Sequence, residues 1–280
     1  MRTGRLLGAG RTADVYEVAD DATGSDAVDD DAVEDDATAD GAAEDGRSVD
    51  AARAAGLRGA GVRGAGVRGA SVHGTWVLRR YRDGWGDARA EAEVMEHVRA
   101  HGYPAPRVRT ATRTDLVLER LWGPTMLEAI AAGVLPPEEA GAELARLLHA
   151  LHALPPRRST DPATRVLHLD LHPENVLLTP DGPRVIDWAN AEEGPPGLDW
   201  GMSAVILAQV AADTADARAP LAHAALTGLL AHQSPNAPSA LTEEGLTEAI
   251  TLRSTNPTMS VREVRLLDRA RELIRSVGVR

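Results

Sequence analysis

The chain contains no cysteine, no phenylalanine and no lysine, so all of its 30 basic residues are arginine. Without thiols, neither disulfides nor a thiolate metal centre can form. Long apolar runs are missing too: the longest, Ala204 to Leu207 with its neighbours, is far too short to cross a bilayer. No N-terminal apolar segment resembles a signal peptide, and the expectation is a cytoplasmic protein with no membrane partner. The length of 280 residues is enough to bury a full core, as one domain or two closely packed lobes.

The acidity is local. The net charge of −12 resides in residues 20 to 50, which hold thirteen acids and one arginine; the remainder balances at 29 acids and 29 arginines. Charge therefore gives no account of the substrate. Residues 20 to 73 begin as an Asp, Ala and Glu tract and continue as an Arg-Gly repeat, Leu57-Arg58-Gly59-Ala60-Gly61 and then Val62-Arg63-Gly64-Ala65-Gly66. Low hydrophobicity with dense charge predicts a disordered insertion, and a surface loop tolerates such lengthening at little entropic cost. Nucleic-acid binding by the repeat is not expected, because few arginines face thirteen neighbouring acids.

The most informative stretch is His168-Leu169-Asp170-Leu171-His172-Pro173-Glu174-Asn175, followed by the apolar Val176-Leu177-Leu178, a turn at Asp181-Gly182-Pro183, and Val185-Ile186-Asp187-Trp188. An Asp, an Asn five residues on and a second Asp beyond the next strand are the groups that phosphoryl transfer from a Mg-nucleotide requires. One carboxylate orients the attacking hydroxyl, while an amide and a second carboxylate hold the metal on the phosphates.

At these residues the chain resembles the aminoglycoside phosphotransferase and choline kinase family, a small-molecule branch of the protein-kinase-like fold. The His at 172, two residues after the Asp, and the Trp188-Ala189 pair after Asp187 both favour that branch over protein kinases. The resemblance implies an α+β bilobal protein-kinase-like fold. Residues 1–121 would form the small antiparallel-sheet lobe with the 20–73 insertion, and residues 122–280 a larger, mainly helical lobe. It implies ATP and Mg2+ as cofactors, Asp170 as the catalytic carboxylate, and Asn175 and Asp187 as metal ligands.

Further positions follow in chain order. Gly8, Gly10 and Thr12 lie in a stretch similar to a nucleotide-binding glycine loop, with Ala13 where a third glycine is expected. The strand Thr75 to Tyr81 carries Arg79 where kinases have lysine, and arginine can bind phosphate through two N–H groups. Period-two alternation puts Arg79 and Tyr81 on one face and Arg80 on the other. Asp87 to Ala100 has helical periodicity, and of its two acids, Glu91 and Glu93, the resemblance favours Glu91 as the partner of Arg79. The family's hinge falls on Glu119 to Leu121, whose backbone would meet the adenine. His149 and His152 read as structural, and Asp199 suits either bracing the catalytic loop or capping a helix.

The expected activity is phosphoryl transfer from ATP to a hydroxyl of a small molecule, whether aminoglycoside, amino alcohol or sugar. The alternative is a kinase-like nucleotide-binding module of weak or no activity. A protein kinase is disfavoured by the missing Asp-Phe-Gly motif. Acceptor identity and oligomeric state are open at this point.

Overall fold

A computed structural model of the chain describes residues 2–10, 12–19, 76–82, 86–233 and 240–278. The whole of the 20–73 insertion, its expected disorder included, and the strand residue Thr75 lie outside the described residues.

Five antiparallel strands form the first layer: β1 (Arg2–Ala9), β2 (Ala13–Ala19), β3 (Trp76–Tyr81), β4 (Val108–Ala111) and β5 (Asp115–Glu119), in the order β1-β2-β3-β5-β4. The alternation in β3 divides its side chains as the period-two pattern predicts. Arg79 and Tyr81 are buried on the inner face and Arg80 is exposed, where it pairs with Asp115 at 2.7 Å. Leu78 joins Val18 and Val117, with Tyr16 and Trp76 beside them, in a small apolar cluster on the other face. Helix α1 (Ala88–Ala100) packs on β4 and β5, burying Ala88, Ala92, Met95 and Val98 at the three- and four-residue spacing seen in the sequence. Asp87 caps it, accepting from the N–H groups of Arg89 and Ala90. The helix stops at His101, and Gly102 follows in the left-handed region at φ +85°.

The rest is mainly helical: α2 (Met126–Ala131), α3 (Pro137–His152), α4 (Pro196–Ala212), α5 (Ala219–Ala231), α6 (Glu243–Thr255), α7 (Val261–Arg265) and α8 (Leu267–Gly278). Helix α4 is the centre of this layer. It is apolar almost all round, as a helix packed by α5, α6 and α8 must be. Close crossings depend on glycine. A Cβ on Gly141 of α3 would stand 2.0 Å from the Ala225 carbonyl of α5, and one on Gly245 of α6 would stand 2.3 Å from the Gly197 carbonyl of α4. Between α3 and α4 run two short antiparallel strand pairs, β6 (Arg165–Leu167) with β9 (Glu192–Gly194) and, between them in sequence, the hairpin of β7 (Val176–Thr179) with β8 (Gly182–Val185). The sheet with α1, joined to a larger helical part, makes the α+β bilobal arrangement.

Candidate active site

The loop between β6 and β7 carries Asp170, and its shape is set from below. Asp199, on the first turn of α4, has no exposure and accepts three hydrogen bonds: from His168 N–H at 3.0 Å, Leu169 N–H at 2.7 Å and His152 Nε2 at 3.0 Å. Of its two anticipated roles, Asp199 performs the bracing one. The cap of α4 is Pro195, without a side-chain bond. Burial opposes ionisation of Asp199, but these donors outweigh it and hold the carboxyl below its ordinary value. Leu169 is thereby kept at φ +60°, a conformation that costs a non-glycine residue energy and persists only when its surroundings impose it. His149 and His152 are structural, the former bonded to the His232 carbonyl and the latter to Asp199.

His168 ties the loop to the next hairpin. Its Nδ1 accepts from Asp170 N–H at 3.3 Å and its Nε2 donates to the Ile186 carbonyl at 3.1 Å. Burial moves its pKa down, so the neutral ring that this pattern needs is the favoured form. A single 3-10 turn, Pro173–Asn175, then brings Asn175 back onto Asp170. Asn175 Nδ2 donates to the Asp170 carbonyl at 2.9 Å and to its carboxylate at 3.2 Å. His172 Nε2 lies 3.7 Å from the same carboxylate. Burial works against the charge on Asp170, yet His172, His168 and Arg253 together hold its pKa below the ordinary value.

Asp187 follows β8 with φ +63°. Its carboxylate meets Arg79 Nη2 at 2.5 Å, and the other arm of that guanidinium, Nη1, meets Glu91 at 2.7 Å. Glu91 also accepts from Tyr81 Oη at 2.6 Å and from Trp188 N–H at 3.1 Å. Glu91, not Glu93, therefore faces Arg79; Glu93 instead pairs with Arg157 and Arg158. Desolvation would discharge Arg79, but Asp187 and Glu91 raise its pKa further, so the guanidinium stays charged in a nearly closed site. Burial in turn pushes Glu91 up, against the pull of Arg79.

Asp170, Asn175, Asp187, Arg79 and Glu91 thus form one connected group, with Ile186 N–H donating to the Asn175 carbonyl across the open end of the β7–β8 hairpin. Gly8, Gly10 and Thr12 belong to the β1–β2 hairpin, two strands in register with β3: Val15 pairs with Arg79. Gly10 N–H donates to the Ala13 carbonyl at 2.8 Å, and Ala13 is buried beside Tyr81, which explains a small residue other than glycine there. Glu119 ends β5 and its carboxylate accepts from Arg107 N–H, leaving its side chain engaged away from Asp170; Leu121 is half-buried just beyond. Three contributors were not anticipated from sequence: the Tyr81 hydroxyl, the Trp188 amide and Arg253. Only Tyr81 left a signal, sharing a strand face with Arg79.

The donor set suits a magnesium ion with a nucleotide. Asn175 uses its amide nitrogen on Asp170, which aims its oxygen elsewhere, and Asp187 is 39% exposed with one carboxylate oxygen beyond the Arg79 bond. An amide and a carboxylate oxygen are hard ligands, and Mg2+ commonly takes one or two protein carboxylates and completes its shell with phosphates and water.

A family model for the phosphotransferase enzyme family, APH, matches residues 67–163 and 126–240, together more than half of the chain. The chain belongs to that family. Among curated proteins there is no match. Among solved structures, the amicoumacin kinase hAmiN in complex with AMP-PNP, Ca2+ and Ami is 12% identical with a TM-score of 0.47, covering 97% of this chain and 87% of its own. A choline/ethanolamine kinase family protein from Mesorhizobium loti is 14% identical with a TM-score of 0.44, covering 74% and 88%. Among the described residues, no helix is long and apolar enough to cross a membrane.

Proposed function

We propose that this phosphotransferase is a small-molecule kinase, moving the γ-phosphoryl group of ATP to a hydroxyl. The observation that carries the reading is the Arg79 guanidinium, fixed between Glu91 and Asp187 at the edge of the loop that holds Asp170 and Asn175. On this reading residues 1–121 hold the nucleotide, with Gly8, Gly10 and Thr12 over the phosphates and the backbone of Glu119 and Leu121 at the base. Residues 122–280 hold the acceptor.

Asn175 and Asp187 would bind Mg2+, which when bound neutralises charge on the phosphates. Asp170 accepts a hydrogen bond from the acceptor hydroxyl and directs its lone pair at phosphorus. His172 and Asn175 limit the rotation of that carboxylate. Arg79 exchanges part of its pairing with Asp187 for phosphate oxygens, and Glu91 keeps it in place. The chemistry is positioning and electrostatics, without a covalent intermediate.

Asp170→Ala tests this. Mg-dependent transfer from labelled ATP should fall by at least about a hundredfold, while nucleotide affinity stays within a few-fold of the parent. Transfer that survives the substitution would remove Asp170 from the chemistry.

A further inference from the structure

Glu93 takes no part in the phosphate grip, although it stands two residues from Glu91 on α1. At about 100° of rotation per residue, that spacing puts the two carboxylates on nearly opposite sides of the helix. Glu91 meets Arg79, Tyr81 and Trp188, whereas Glu93 Oε2 lies 2.8 Å from Arg158 Nη2 and 3.3 Å from Arg157 Nη2. His97, one turn on from Glu93 and on the same face, donates from Nε2 to the Pro155 carbonyl at 2.9 Å. One stripe of α1 thus grips residues 155–158, the segment of the large lobe between α3 and β6.

The far side of that segment is fastened as well. Glu193 of β9 accepts from the N–H groups of Arg157, Arg158 and Ser159, and β9 pairs with β6, which runs into the loop of Asp170. A continuous bonded path therefore joins Glu93 to the strand that leads into the catalytic loop, separate from the one through Arg79 and Asp187. Packing does not make this path redundant. Helix α1 packs on β4 and β5 of its own lobe, while a cavity of about 270 Å³ lies between its first turns and β6, lined by Ala90, Glu91, Val94 and Val166 with Arg157 and Arg158. An unfilled space supplies no dispersion contacts across it, so the ion pairs at its edge set the distance. Arg157 is the firmer of the two partners, with a side chain 15% exposed, where salt screens the pair less than at the exposed Arg158.

We propose that Glu93 is a positioning residue for the phosphate grip. Held by Arg157 and Arg158, it sets the tilt of α1, and the helix in turn presents Glu91 to Arg79 so that the guanidinium stays in line with the phosphates. The inference rests on the small-molecule kinase reading, in which Arg79 binds phosphate oxygens. Glu93 itself lies outside the group of Arg79, Asp170, Asn175 and Asp187 and acts only through the helix.

The experiment is calorimetric titration of the full chain with Mg-AMP-PNP and, separately, with adenosine, which shares the base and has no phosphate. Glu93→Gln should weaken Mg-AMP-PNP by about fivefold, the worth of one exposed ion pair, and leave adenosine within about twofold. A loss confined to the phosphates marks a displaced Arg79, whereas a general loosening of the fold lowers both affinities. Arg158→Gln, at a side chain 70% exposed, should shift Mg-AMP-PNP the same way by less, and its effect should disappear in the Glu93→Gln background. That variant carries the test if Glu93→Gln lowers the melting temperature. Glu96→Gln, the same charge change at an exposed position of α1, should leave both affinities at the parental values. Unchanged Mg-AMP-PNP affinity in Glu93→Gln, an equal loss for adenosine, or an equal loss in Glu96→Gln overturns the proposal. If the parent binds Mg-AMP-PNP in those cases, the kinase reading stands; if the parent binds no nucleotide, both fall.

Discussion

Asp199→Asn should uncouple the catalytic loop from the helix beneath it. The carboxylate is fully buried and its two oxygens receive Leu169 N–H on one side, and His168 N–H with His152 Nε2 on the other. Asparagine has the same shape but a single acceptor oxygen, so its NH2 must oppose at least one buried donor. Breaking a buried charged group out of such a set costs about 3–5 kcal/mol, and each hydrogen bond to a charged group is worth about 1.5–3 kcal/mol. Against a domain stability of about 5–15 kcal/mol, that is a large share. Asp199 holds the amide of Leu169, which sits at φ +60°, so the loop should also relax and carry Asp170 off line. Displacement of about 1 Å in a site that works by positioning costs on the order of a hundredfold in rate. Urea unfolding at low temperature measures the first effect, and kcat with KM for ATP separately measures the second. A stability loss below about 1 kcal/mol, or a kcat within threefold of the parent, would refute the bracing role.

Two further outcomes follow from the same network and from the adjoining strand pair. Arg79→Met leaves Glu91 buried with only Tyr81 and Trp188 as partners, and should destabilise the fold by about 3–5 kcal/mol while weakening nucleotide binding. Thermal unfolding together with titration of a fluorescent adenine nucleotide checks both, and undiminished affinity would exclude Arg79 from the phosphate site. Glu193 accepts from the N–H groups of Arg157, Arg158 and Ser159; burial works against its charge, but these donors hold its pKa below the ordinary value. Its contribution is therefore complete above the unfolded carboxylate range near about pH 4.3 and disappears as pH falls through the lower folded value. Glu193→Gln should cost on the order of 1 kcal/mol at neutral pH, after screening is allowed for. The two stability curves should converge as pH falls through that lower folded value, and a gap independent of pH would assign the effect to packing.

What could be read in the chain before folding, and what could not, divides along sequence distance. Asp170 and Asn175 are five residues apart and His168 and His172 flank the first, so a loop motif carries their chemistry within a single turn. Arg79 and Tyr81 share a face because strands alternate with period two, and Glu91 lies on the buried stripe of α1 with Ala88, Ala92, Met95 and Val98. Local periodicity thus puts each residue on the correct face of its own element. It does not bring Glu91 to Trp188 across 97 positions, nor Arg79 to Asp187 across 108. Arg253 is the extreme case. In sequence it is one of several arginines in a charge-mixed helical region, where pairing along a solvated surface is the ordinary outcome. Its Nε donates to a buried glutamine 44 residues away on α4, a partner that helical periodicity does not indicate. The helix that braces the catalytic loop at its start, through Asp199, thus aims a cation of the neighbouring helix near its end, through Gln209. The loop of Asp170 and the guanidinium of Arg253 are therefore both fixed from one rigid element, and a substitution that tilts α4 should disturb stability and, on the proposed reading, turnover together.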